Sequence, residues 1–167
     1  MSESSEPSSP RVEWWCELQC PDCRDSLADL RALRAEGVEI VPRHFPLSKH
    51  KHAFAAAQAV EEAFVQGHGW AFVEAVLDRV GELDRRGEKL LLEVAEKLGM
   101  DAEELDTALI DGRHILVVDA DQAEGQAIGV KGTPSYVVAG KVLDGSKDQS
   151  GLRERIEELL GSRGRKG

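Results

Sequence analysis

Residues 12–23, VEWWCELQCPDC, are the stretch on which the reading of this chain turns. Val12 to Leu18 is rich in β-branched and aromatic residues and reads as a buried strand that ends just before a cysteine pair. Pro21 then suits the first turn of a helix, where its missing N–H costs nothing. A thiol at such a junction faces unpaired backbone N–H groups and the positive end of the helix dipole, which favour thiolate over thiol. Cys20 is therefore the expected nucleophile. Cys23, one turn further in, is expected to be the more buried partner, placed to attack a mixed disulfide and release its other half.

Working outward, the helix opened by Pro21 is expected to run to about Glu36, with Leu27, Leu30 and Leu33 facing inward and Gly37 closing it. Val38 to Phe45 is the next strand candidate. Two strands joined by one helix make a right-handed βαβ unit with parallel strands. From about Ala53 to Ile128 the apolar period is helical throughout, with stripes such as Phe54, Ala57, Val60 and Phe64, and Leu90, Leu91, Val94, Ala95 and Leu98. Four or five helices are expected there, one of them opened by a capping box at Asp101 and Glu104. After Gly132 the strand period returns. Ser135 to Val138 and Lys141 to Leu143 form a hairpin around Ala139-Gly140, and a last helix carries Leu152, Ile156, Leu159 and Leu160. The expected class is α/β, a four-stranded mixed sheet covered by helices with a helical insertion between its halves.

The chain has 167 residues, 41% hydrophobic and 31% charged, a globular mixture of one-domain size. Residues 1–10 and 161–167 hold little to bury and read as mobile tails. A net charge of −10 disfavours nucleic acid or an anionic membrane as partner, since either calls for a basic surface. Protein or peptide thiols and disulfides fit better. No stretch has the length of a transmembrane helix, and Met1 to Pro10 has neither a basic nor an apolar leader region. The expected location is cytoplasmic, with an extracytoplasmic one as the alternative if a signal peptide is missing.

The three cysteines all fall between positions 16 and 23, which is no disulfide framework. Clustering of this kind points to redox chemistry or to metal. Structural zinc sites use the same Cys-x-x-Cys spacing, but a closed site of Cys16, Cys20 and Cys23 needs a fourth ligand from the five histidines, and no spacing supplies one. His50 and His52 read as helix-start and surface residues, and Trp70 and Phe72 as core. Three readings stand open for Cys16: an inert buried thiol, a third partner in disulfide exchange, or a metal ligand.

WWCELQCPDC, then HFPLSKHKHAFAAAQAVEEAF, then GVKGTPSYVVAGKVLDG follow one another in an order that resembles the DsbA-like branch of the thioredoxin superfamily. The resemblance covers roughly Val12 to Leu160. It implies a thioredoxin-like core over residues 11–50 and 130–160, an inserted helical domain over 51–129, and a cis Thr133-Pro134 bond beside the cysteines. It further implies a disulfide oxidoreductase in which Cys20 and Cys23 react and Thr133 and Pro134 align an extended partner, as an added strand would be aligned. No metal or organic cofactor is needed, while a separate redox partner must reset the pair. The alternatives are a thioredoxin-fold module holding zinc, and a non-catalytic chaperone or adaptor.

Two positions depart from the pattern the resemblance implies. Family members commonly carry a buried acid six residues before the nucleophile; here that place is Trp14, with Glu13 one residue off, so either the strand bulges or the role is vacant. Asp22 stands between the cysteines where the strongly oxidising members have His. An anion there opposes the thiolate, which predicts a raised Cys20 pKa and a more reducing site.

Overall fold

The computed structural model describes residues 10–164, so of the expected tails at 1–10 and 161–167 most lies outside the described residues, while residues 161–164 continue the last helix instead of forming a tail. β1 (Arg11–Cys16) is followed by α1 (Pro21–Asp25), α2 (Leu27–Ala35) and β2 (Glu39–His44). β1 and β2 pair in parallel, from Arg11 opposite Glu39 to Cys16 opposite His44. The single helix expected between them is two. The Ser26 hydroxyl and N–H both donate to the Cys23 carbonyl, at 2.6 and 3.2 Å, which closes the first turn early and lets α2 start afresh. α2 still buries Leu27, Leu30 and Leu33, each contributing about 1.5–3 kcal/mol through removal from water.

Six helices follow rather than four or five: α3 (Ala53–Val65), α4 (Gly69–Leu77), α5 (Val80–Arg86), α6 (Glu88–Lys97), α7 (Ala102–Asp111) and α8 (Ile115–Ile128). In α3 the buried stripe is Ala53, Ala56, Ala57, Val60 and Ala63, whereas Phe54 is half-buried and Phe64 exposed. The small side chains let α4, α6 and α7 pack closely on α3, an advantage that a count of large apolar residues overlooks. Asp101 caps α7 by accepting the Glu104 N–H at 3.0 Å.

The chain returns to the sheet in β3 (Ser135–Val138) and β4 (Lys141–Asp144), joined by Ala139 and Gly140, both at positive φ as a two-residue hairpin turn requires. The sheet order is β2-β1-β3-β4, with β3 antiparallel to both neighbours. α9 (Leu152–Gly164) covers it, burying Leu152 and Ile156. The result is a mixed four-stranded sheet with a helical insertion.

Alternation along β1 sends Val12, Trp14 and Cys16 into the main core and Trp15 into a smaller cluster with Phe45 and Val130. Trp14 stacks on Trp70 of α4 at 5.8 Å and 12°, joining sheet to insertion, and Phe72 is fully buried. On the other face α8 approaches at Gly125, where a Cβ would meet the Trp15 ring at 2.8 Å. Among the described residues no helix is long and apolar enough to cross a membrane.

Candidate active site

Cys20 is the N-cap of α1 in an extended conformation, φ −106° and ψ 114°, and Pro21 takes the first helical position. The strand stops four residues earlier, at Cys16, so Glu17 to Gln19 form the turn that delivers Cys20 to the helix start. Cys20 retains 5% exposure and Cys23 none. The more accessible sulfur is thus the first of the pair.

The second wall comes from the segment leading into β3. Cys20 Sγ donates to the Thr133 carbonyl at 3.6 Å, bringing together residues 113 apart in sequence. The Thr133–Pro134 peptide bond is cis. The Thr133 hydroxyl is buried and, among the described residues, has no hydrogen-bond partner. An open groove of about 480 Å³ runs between Cys20, Pro21 and Asp22 on one side and Lys131 and Thr133 on the other, with Lys49 and His50 contributed by the β2–α3 loop.

The hydrogen bond with Cys23, followed by burial, pushes the Cys20 thiol above its ordinary value of 9.0. The Cys23 backbone N–H acts in the opposite direction, so the helix-start donor invoked from sequence is present but outweighed. Asp22 is exposed and is not among the leading causes. The shift runs in the direction expected from Asp22 but has other causes. Cys23 is also held well above its ordinary value, first by burial and then by a hydrogen bond with Cys16.

Register decides the question of the missing acid. β1 runs opposite β2 and β3 without a bulge, so Trp14 keeps the position six residues before Cys20. Glu13 points to the other face, where it accepts from Arg43 at 3.1 Å and from Trp15 Nε1 at 3.3 Å. A carboxylate does lie buried by the cysteines, but it is Glu17, 2% exposed, in the turn after the strand. Its side chain accepts the Gln19 N–H at 2.7 Å and pairs with His50 Nδ1, and His50 in turn lines the groove. Burial raises the Glu17 carboxyl above its ordinary range despite that pairing.

Sequence reasoning missed both residues. Glu17 lay in a segment read as strand and His50 in one read as surface; a buried acid in a turn carries no periodic signal. His52, by contrast, is the N-cap of α3. Among the described residues no group of three His, Cys, Asp or Glu side chains is placed to hold a metal ion.

Comparison with known proteins turns this geometry into a family assignment. A family model described as "DSBA-like thioredoxin domain" matches residues 51–157, most of the chain. The chain belongs to that family. The match begins after the cysteine motif, so membership rests on the insertion, the hairpin and the last helix. Among solved structures, a thioredoxin-like oxidoreductase from Silicibacter pomeroyi superposes with a TM-score of 0.76 at 26% identity, over 96% of this chain and 88% of that one. DsbA from Xylella fastidiosa, at 21% identity, shares the fold with a TM-score of 0.75 over 97% and 90%.

Curated relatives include a Na(+)/H(+) antiporter NhaA from Herminiimonas arsenicoxydans, 35% identical over 82% of this chain and 21% of that protein. NhaA 1 from Salinispora arenicola is 32% identical over 84% and 22%. The chain therefore spans about a fifth of the length of the curated relatives it matches.

Proposed function

We propose that the protein is a thiol-disulfide oxidoreductase acting on protein, peptide or low-molecular-weight thiols, with Cys20 as nucleophile and Cys23 as resolving thiol. The observation that carries this reading is the meeting of Cys20 with Thr133 at the mouth of a groove, with Cys23 buried directly behind. Cys20 as thiolate attacks one sulfur of a partner disulfide and expels the other. Cys23 then attacks Cys20 Sγ, releasing the partner as a thiol and leaving the Cys20–Cys23 disulfide. A separate dithiol must reduce it again.

Thr133 serves this cycle twice. Its backbone lies at the groove, where an extended partner chain can pair with it, and its unpartnered hydroxyl is available to the Cys20 thiolate. Glu17 and His50 together link the buried side of the pair to the groove and serve as the proton acceptor whose usual place, six residues before the nucleophile, is taken by Trp14. Because both thiols are held toward their protonated forms, the couple belongs at the reducing end of the scale.

A glutathione redox titration followed by thiol alkylation tests the proposal. The expected potential is nearer the thioredoxin value of about −270 mV than the DsbA value of about −120 mV. Failure to form any Cys20–Cys23 disulfide would remove the enzymatic reading altogether.

A further inference from the structure

Gln149 lies in the loop between β4 and α9 and takes no part in the cycle above. Its side chain makes two hydrogen bonds that face opposite ways. Oε1 accepts from the Tyr136 hydroxyl at 2.9 Å, and Nε2 donates to the Asp22 carbonyl at 2.9 Å. Tyr136 belongs to β3, close after Pro134, and is fully buried. Asp22 lies between the two cysteines. One side chain therefore ties the turn that joins Cys20 and Cys23 to a strand 113 residues and more away in sequence.

The break in the first helix explains why the Asp22 carbonyl takes a donor from outside. In an unbroken helix it would accept the Ser26 N–H. Here that N–H bonds to the Cys23 carbonyl at 3.2 Å. The donor reaches Asp22 because its loop lies close over β3. The Gly145 N–H donates to the Pro134 carbonyl at 2.9 Å, and a Cβ on Gly145 would meet the Tyr136 ring at 2.9 Å and that carbonyl at 3.1 Å. The loop thus holds the backbone at two places beside the nucleophile, at Pro134 next to Thr133 and at Asp22.

We propose that Gln149 is a positioning residue for the redox pair: it holds the Cys20–Cys23 turn in place and so favours the disulfide over the dithiol. This rests on the redox reading of Cys20 and Cys23. Closing the disulfide orders the turn between the cysteines, which costs conformational entropy. A turn already held by Gln149 has less freedom left to lose. By the same linkage, the Gln149–Asp22 bond forms at less cost once the disulfide has fixed the turn. Without the clamp, the balance moves toward the dithiol.

Two full-length variants test this beside the parent. Gln149→Met keeps the length of the side chain and adds no charge, but has no N–H to give the Asp22 carbonyl. Tyr136→Phe leaves Gln149 in place and removes its anchor. Each is titrated in glutathione redox buffers and read by thiol alkylation, and its reduced form is unfolded in urea. Gln149→Met is expected to lower the equilibrium constant for the Cys20–Cys23 disulfide by about two- to tenfold, the range of one hydrogen bond. Tenfold corresponds to about 30 mV toward the oxidising side. Tyr136→Phe is expected to move it the same way by a smaller factor. In the double variant the two shifts should not add, since both act through one side chain.

A purely structural Gln149 would lower the urea midpoint and leave the redox equilibrium where it was. An equilibrium constant in Gln149→Met that is unmoved, or moved toward the disulfide, overturns the proposal and leaves the redox reading intact. A parent protein that forms no Cys20–Cys23 disulfide overturns both. Circular dichroism shows whether Gln149→Met is folded; if it is not, the titration of Tyr136→Phe decides by the same criterion.

Discussion

Around the junction of β1 and α1, three thiols, the Glu17 carboxyl and the hydroxyls of Ser26 and Thr133 are almost wholly withdrawn from water. In the helical block α3–α8 the buried side chains are nearly all aliphatic or aromatic, with Gln58 and Glu62 as the polar exceptions. Apart from Glu62, the charged side chains of the block keep contact with water, as in the ladder of Arg79, Glu82, Arg86 and Glu93 across α5 and α6. Burying polar groups costs stability, and among the described residues the Thr133 hydroxyl at the junction has no partner to offset that cost, as Gln58 Oε1 has none in the block. The block, with its apolar interior, supplies stabilisation that the junction cannot. The Trp14–Trp70 stack is where the two meet.

The sharpest way to break this division is to remove the nucleophile. Cys20→Ser is expected to lower turnover of hydroxyethyl disulfide by roughly 1,000-fold or more, with little change in the urea midpoint. A rate within tenfold of the parent would move the chemistry away from Cys20. The reciprocal experiment is made in the block. Leu91→Ala, at a fully buried position of α6, is expected to cost about 2–5 kcal/mol in urea unfolding. The potential of the folded fraction should not move; a shift would mean that the block tunes the site as well as supporting it.

Two smaller effects sharpen the picture within the junction. With its thiol held above 9.0, Cys20 should be alkylated by iodoacetamide at a rate that climbs with pH and shows no plateau below that value. Cys23→Ala removes the largest cause of the shift, so its profile is expected to level off at a lower pH. An unchanged profile would assign the shift to burial alone.

Glu17→Gln addresses stability. A carboxyl whose pKa is raised on folding favours the native state at low pH, and that contribution is lost as pH rises through the raised value. Glu17→Gln is therefore expected to be more stable than the parent in neutral solution. The difference should close as pH falls toward the ordinary carboxyl value of 4.5. A difference that does not depend on pH would show that folding leaves the Glu17 pKa unshifted.

Much of the block and sheet was legible because apolar period is a local property. The hairpin at Ala139-Gly140 and the Asp101 cap each follow from residues within a few positions of one another, and the parallel β1–β2 pair from the helical crossover between two neighbouring strands. Boundaries were less legible where side chains compete with the backbone. Ser26 splits the first helix by bonding the Cys23 carbonyl, and alanines rather than phenylalanines form the inner face of α3. Glu17 and His50 escaped because their pairing joins a turn to a loop 33 residues away, and neither segment repeats.

The sequence by itself determined that Cys20 and Cys23 stand at a strand-to-helix junction, since strand period, Pro21 and spacing are all contained in twelve residues. Their unequal burial also follows, because the second residue of such a pair lies one turn into the helix. Only the tertiary structure decided what surrounds the pair: Thr133 from across the sheet, His50 at the groove, and Glu17 buried and paired with it. The physical reason is that the titration of a thiol depends on the burial and polar contacts it meets in space. Here these come from β1, the β2–α3 loop and the start of β3, segments that chain order alone does not bring together.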